Sequence, residues 1–193
     1  MHIIKELVLA SNNDGKIQEL TQLLSPLDIT IIGGKQAEIG EIEETGSTFA
    51  ENAIIKAESA SKSTGLPALG DDSGLCVDAL NGSPGIFTAR YGDYHKLLDE
   101  MSEIPFEERT AQFICALALA IPGRQTVVFE GKVDGFVLTH PRGDGGFGYD
   151  PVFLPVGEQR SFAEMDPHQK HALSHRGRAL REFIGYLERG MFA

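Results

Sequence analysis

A chain of 193 residues with 41% hydrophobic and 23% charged side chains can bury a full core without staples, which argues against a disordered or fibrous protein. Its 28 Asp+Glu against 17 Lys+Arg give a formal charge of -11, which opposes docking on polymeric nucleic acid or an anionic membrane. Cys76 and Cys115, the two cysteines, are too few for a disulfide framework and lack the Cys-x-x-Cys spacing of a zinc or redox site.

Residues 3–10 read as a short buried strand that runs into the polar turn Ser11-Asn12-Asn13-Asp14-Gly15, unlike a signal peptide. No stretch is long and apolar enough to span a bilayer, so a cytoplasmic location is expected. Residues 16–27 carry apolar side chains at 17, 20, 23, 24 and 27, the spacing of an amphipathic helix. A second helix should start at Thr48, which with Glu51 makes a capping-box pattern, and should end near Gly65, ahead of Pro67. Residues 67–70 read as a brief strand delivering Asp71 and Asp72 to its C-terminal end, where open α/β sheets place ligands. Residues 113–121 and 126–138 are rich in strand formers on either side of Pro122-Gly123 and read as an antiparallel hairpin. Residues 142–151 are too rich in glycine for a regular element. Ser174 should cap a last helix to about residue 187, with Leu180, Phe183, Ile184 and Leu187 on its buried face. The expectation is one α/β domain over residues 1–193 with a mixed sheet.

Several groups of residues suit phosphate, metal and base chemistry. Ser11 to Lys16 (Ser11, Asn12, Asn13, Asp14, Gly15, Lys16) would let backbone N–H groups meet phosphate oxygens at a helix start with Lys16 as counter-charge; an ordinary capped turn fits the same residues. Glu41, Glu43 and Glu44 before the second helix, with Asp71 and Asp72 after it, are hard oxygen donors of the kind Mg2+ takes, or else a solvated acidic face. Adjacent carboxylates between an apolar run and Ser73-Gly74 need a cation or a proton to coexist. Phe147, Gly148, Tyr149 and Asp150 offer aromatic faces and an acceptor on a bendable backbone, suited to a flat ligand; a loop with Phe147 tucked into the core is the competing reading. Lys170, His175 and Arg176 lie at and just before the start of the last helix, where the dipole disfavours positive charge unless a partner sits there.

Taken in order, six motifs resemble the inosine triphosphate pyrophosphatase family: Ser11-Asn12-x-x-Gly15-Lys16, Glu43-Glu44-Thr45-Gly46-x-Thr48-Phe49-x-Glu51-Asn52-Ala53, Gly70-Asp71-Asp72-Ser73-Gly74-Leu75, Pro84-Gly85-x-x-x-Ala89-Arg90-Tyr91, Gly145-Gly146-Phe147-Gly148-Tyr149-Asp150-Pro151 and Ser174-His175-Arg176-Gly177. The resemblance implies an elongated α/β fold, a central mixed sheet flanked by helices, a substrate cleft between two lobes, and a homodimer. It implies hydrolysis of ITP, dITP and XTP to the monophosphate and pyrophosphate, with Mg2+ as cofactor and a purine nucleoside triphosphate as the partner. By the same resemblance Ser11 to Lys16 and Lys56 hold the phosphates, and Glu43 or Glu44 serves the metal with Asp72. Asp72 takes the proton from water and Ser73 assists. Phe147 stacks on the base and Asp150 bonds its edge, while Lys170, His175 and Arg176 read the keto group at the purine 6-position. This sequence departs from the family pattern at Ser11-Asn12, where Thr-Gly is more common, and at Gly70, where alanine is usual. A pyrophosphatase for modified pyrimidines and a non-catalytic nucleotide sensor are the rival readings.

Overall fold

The computed structural model describes residues 4–190. Its first strand, β1 (Glu6–Leu9), buries Leu7, Val8 and Leu9 completely or nearly so; Ile3, where the expected strand began, lies outside the described residues. Helix α1 (Asp14–Leu24) starts two residues early, because Asn13 caps it by accepting the Lys16 N–H. It also stops early: Pro26 lacks an N–H, and residues Ser25–Leu27 tighten into a 3-10 turn. Strand β2 (Thr30–Gly33) follows. Only four residues long and half-buried, it is too short to show a clear alternation.

Helix α2 (Phe49–Thr64) has the expected ends, with the Thr48 hydroxyl accepting the Glu51 N–H and Gly65 closing it in the left-handed conformation at φ 70°. The Glu51 carboxylate is held chiefly by Ser47, whose N–H and hydroxyl both donate to it at 2.7 Å, with the Thr48 backbone a lesser contributor.

Strand β3 (Ala68–Val77) corrects the sequence reading more strongly. Asp71 and Asp72 do not end a short strand; they lie inside one of ten residues. Its parallel ladder with β1 nevertheless stops at Leu9↔Leu69, so both aspartates lie just past the end of that pairing. The strand keeps close to α2 because Gly70 has no side chain: a Cβ there would sit 2.0 Å from the Ala53 carbonyl oxygen.

Short helices α3 (Thr88–Tyr91) and α4 (Tyr94–Glu100) precede two long strands, β4 (Thr110–Ala120) and β5 (Val127–Val137), followed by β6 (Phe153–Pro155), α5 (Pro167–Leu173) and α6 (His175–Glu188). Among the described residues six strands form one mixed sheet in the order β2-β1-β3-β4-β5-β6. β1 pairs in parallel with β2 and β3, and β5 is antiparallel to β6. No helix among the described residues is long and apolar enough to cross a membrane.

The chain divides into two compact units. One takes in the chain as far as Asp72, Ala116–Glu130 and the stretch from Leu180 onward, and the other comprises Ser73–Cys115 and Gly131–Ala179. In the first unit, Val8, Ala10, Ala60 and Ala68 pack with Ile32, Ile39 and Ile42, so small alanines let α2 lie close to the strands. The second unit has an aromatic core in which Phe113, Phe153 and Phe162 meet one another at centroid distances of 4.6–6.1 Å. Arg109, 2% exposed, braces that unit by donating to the carbonyls of Met101, Ile104, Val137 and Leu138.

Candidate active site

In the first unit the candidate site residues gather on three local structures: the turn capping α1, one face of α2, and β3 beyond its pairing with β1. Ser11 and Asn13 are partly spent on the turn itself. The Ser11 hydroxyl accepts the Asn13 N–H at 3.1 Å, and Asn13 Oδ1 accepts the Lys16 N–H at 3.1 Å. Capping so arranged leaves Asn12, Asn13 and Asp14 exposed at a helix N-terminus, a place that attracts phosphate. Lys16 leans back from it, with its Nζ 2.5 Å from Asp71 Oδ1.

Asp71 is wholly buried, and the lysine sets a cation against a carboxyl group taken out of water. Asp72 faces a different cation. Lys56 Nζ stands 3.2 Å from Asp72 Oδ1 and 3.4 Å from Glu44 Oε1, bridging the two carboxylates. The other Asp72 oxygen, Oδ2, is buried with no hydrogen-bond partner. Burial is the main reason the Asp72 carboxyl titrates above its ordinary value; Lys56 and Lys16 pull it back, and Glu44 adds to the rise.

Of the two expected metal carboxylates ahead of α2, Glu44 stands at this cluster, while Glu43 is exposed. Among the described residues no three His, Cys, Asp or Glu side chains gather as a ready metal cage. Two carboxylates, one with an unmatched buried oxygen, still fit Mg2+, which takes one or two carboxylates and fills its shell with water and substrate phosphate.

In the second unit the glycine-rich loop, α5 and the start of α6 bring together the residues expected to read a base. Asp150 Oδ2 accepts from Lys170 Nζ at 2.7 Å and from the Phe147 N–H at 2.8 Å. One carboxylate oxygen therefore fixes both the loop and the lysine. Lys170 Nζ lies 4.8 Å and Arg176 Cζ 5.8 Å from the centre of the half-buried Phe147 ring. Arg176 also donates to the Ser73 hydroxyl at 2.8 Å. The His175 ring lies parallel to Phe113 at 4.6 Å, which sets its plane.

Two sequence expectations change here. Lys170 is not ahead of an isolated helix start: it sits in the last turn of α5, where a cation is favoured by the dipole. Ser174 caps both helices, its N–H donating to the Lys170 carbonyl and its hydroxyl accepting the Gly177 N–H. Tyr149 belongs to the aromatic core, 5% exposed, with its hydroxyl donating to the Gly92 carbonyl at 3.0 Å. Burial pushes its phenol up to about 12. Gly148 is exposed at φ 61°, a backbone conformation that favours glycine.

The Ham1 family model matches residues 7–186, which takes in both clusters. The chain belongs to the Ham1 family. Among its relatives are the dITP/XTP pyrophosphatase of Bacillus licheniformis, 44% identical with 96% of this chain and 99% of that one covered, and that of Geobacillus kaustophilus, 46% identical with 92% and 91% covered. A solved Ham1 protein from Coxiella burnetii superposes with a TM-score of 0.86 at 43% identity, covering 96% of this chain and all of that one. Within this Ham1 chain, sequence reasoning missed Phe113, read only as a strand residue, and Asn52, quoted only as part of a motif. No sequence signal marks Phe113, since its partner His175 is 62 positions away in the numbering.

Proposed function

We propose that this Ham1 chain hydrolyses deaminated purine nucleoside triphosphates, ITP, dITP and XTP, to the nucleoside monophosphate and pyrophosphate. The observation that carries the chemistry is Asp72: one oxygen is held by Lys56, the other is buried and unmatched, and the carboxyl titrates above its usual value. A carboxylate of raised pKa is a better proton acceptor near neutral pH than an exposed one. The relatives named as dITP/XTP pyrophosphatases support the substrate class.

In this reading Asp72 takes a proton from the attacking water as the new P–O bond forms. The bridging P–O bond then breaks and pyrophosphate departs. Lys56, Lys16 and the N–H groups at the start of α1 balance charge on the phosphates. Glu44 and Asp72 would hold Mg2+, which when bound offsets phosphate charge. Phe147 would offer a face for the base, and Asp150 holds Phe147 and Lys170 where a keto oxygen can be met by cationic donors. An adenine amino group would leave those donors unmatched, at about 1–3 kcal/mol for each. His175 and Arg176 would join Lys170 in reading the base, and Ser73, which accepts from Arg176, would assist beside Asp72. A homodimer and a cytoplasmic location complete the proposal; light scattering giving twice the chain mass tests the first.

Pyrophosphate release should be measured over ITP, XTP, dITP, ATP, GTP and dUTP, with and without Mg2+. Turnover confined to the deaminated purines and dependent on Mg2+ is the expected result. Equal rates on every triphosphate would remove the specificity, and full activity in Asp72→Asn would remove the proton acceptor.

A further inference from the structure

Glu44 stands on a segment, residues 39–46, that forms neither strand nor helix. Something other than a backbone ladder must fix it. The structure shows two anchors on the first turn of α2. Glu51 holds Ser47, as described above, and Asn52 Oδ1 accepts the Gly46 N–H at 2.8 Å. Asn52 is fully buried, yet its Nδ2 has no partner. A buried amide with half its bonding unmet is a poor choice for stability alone.

Its position on α2 is informative. Asn52 and Lys56 are one helical turn apart and share a face, and Lys56 is the residue that meets both Glu44 and Asp72. One face of α2 therefore carries the group that fixes the loop and the group that receives its carboxylate. The fit is tight: a Cβ at Gly46 would lie 2.6 Å from Asn52 Oδ1 and 2.9 Å from the Asn52 nitrogen.

We propose that Asn52 is a positioning residue: by accepting the Gly46 N–H it fixes the backbone two residues past Glu44 and so sets where that carboxylate stands for Mg2+. The inference rests on the reading of Glu44 and Asp72 as the magnesium carboxylates. It predicts that loop placement, not fold stability, is what the asparagine supplies.

The test titrates Mn2+ into nucleotide-free protein and follows the free ion by electron paramagnetic resonance, alongside thermal unfolding. Asn52→Ala and Gly46→Ala should each weaken Mn2+ binding by about 10-fold or more. The double variant should be scarcely weaker than the worse single, because both changes break one contact. Asn52→Asp, which keeps an acceptor oxygen for Gly46, should bind within about threefold of the unmodified protein or tighter, far short of the loss in Asn52→Ala. The Mg2+ concentration for half-maximal pyrophosphate release should rise in step with the Mn2+ constant.

Glu44→Gln serves as the control on the underlying reading. If it binds Mn2+ as well as the unmodified protein does, the metal reading falls and this proposal with it. If Glu44→Gln loses the ion while Asn52→Ala and Gly46→Ala keep full affinity and only melt earlier, Asn52 is merely structural and the proposal is overturned while the reading stands. Should Asn52→Ala fail to fold, the Gly46→Ala and Asn52→Asp results decide it.

Discussion

The two candidate clusters balance charge in opposite directions. Around α2 and β3, three carboxylates, Glu44, Asp71 and Asp72, meet two lysines, Lys16 and Lys56, and one carboxylate oxygen is left over in the interior. In the glycine-rich loop and the helices after it, one carboxylate, Asp150, meets Lys170, and Arg176 adds a second cation beside the Phe147 ring. An acid-rich cluster invites a cation and can accept a proton. A cation-rich one beside an aromatic face suits an electron-rich heterocycle.

The strongest way to break this contrast is to neutralise Asp72. Asp72→Asn should lower kcat by about 10²- to 10⁴-fold, the usual worth of a positioned base, in a pyrophosphate-release assay. Its stability should not follow. Folding holds the Asp72 carboxyl above its unfolded value, so its stabilising contribution is present below the unfolded value and lost as pH rises through the folded one. In metal-free protein the asparagine variant should therefore match or exceed the unmodified Tm at neutral pH, with any advantage fading on acidification. Activity runs the other way, since the acceptor is the carboxylate: the rate should fall as pH drops through that raised value.

Lys16→Met tests the second half of the acid cluster. It removes the cation 2.5 Å from a wholly buried Asp71 and should cost about 3–5 kcal/mol in urea unfolding; a loss under 1 kcal/mol would show that Asp71 does not depend on that lysine. In the cation-rich cluster, Phe147→Ala should raise KM for ITP by the equivalent of about 1–3 kcal/mol with kcat nearly kept. A fall in kcat with KM unchanged would argue against simple stacking. Gly70→Ala is the subtlest change. The family pattern usually has alanine there, but here the added methyl meets the Ala53 carbonyl, so about 1–3 kcal/mol of destabilisation is expected. Unchanged stability would mean that α2 shifts freely against β3.

How much was legible follows from the range of each interaction. The Thr48 cap, the Gly65 stop and the Ser174 cap depend on partners within four residues, so their residue types announce them. The length of β3 was not legible, because Asp71, Asp72 and Gly74 are poor strand formers and β3 runs on past its β1 pairing beside β4, a strand far along the chain. Helix α5 was missed although Asp166 and Gln169 form a full capping box around Pro167; at seven residues it offers no periodic stripe to find.

Chemistry followed the same division. By itself the sequence determined which groups are available: the paired aspartates, the polar turn with its lysine, the glycine loop with Phe147, and the basic start of α6. It also carried the motifs that resemble a purine triphosphate pyrophosphatase, because spacing within each motif is a property of the chain. Only tertiary structure decided the pairings. Lys16 takes Asp71, 55 residues on, and Lys56 joins Glu44 to Asp72, leaving one buried oxygen unmatched. Such choices depend on which charges are desolvated together, and desolvation is set by packing among distant segments, which no local pattern records.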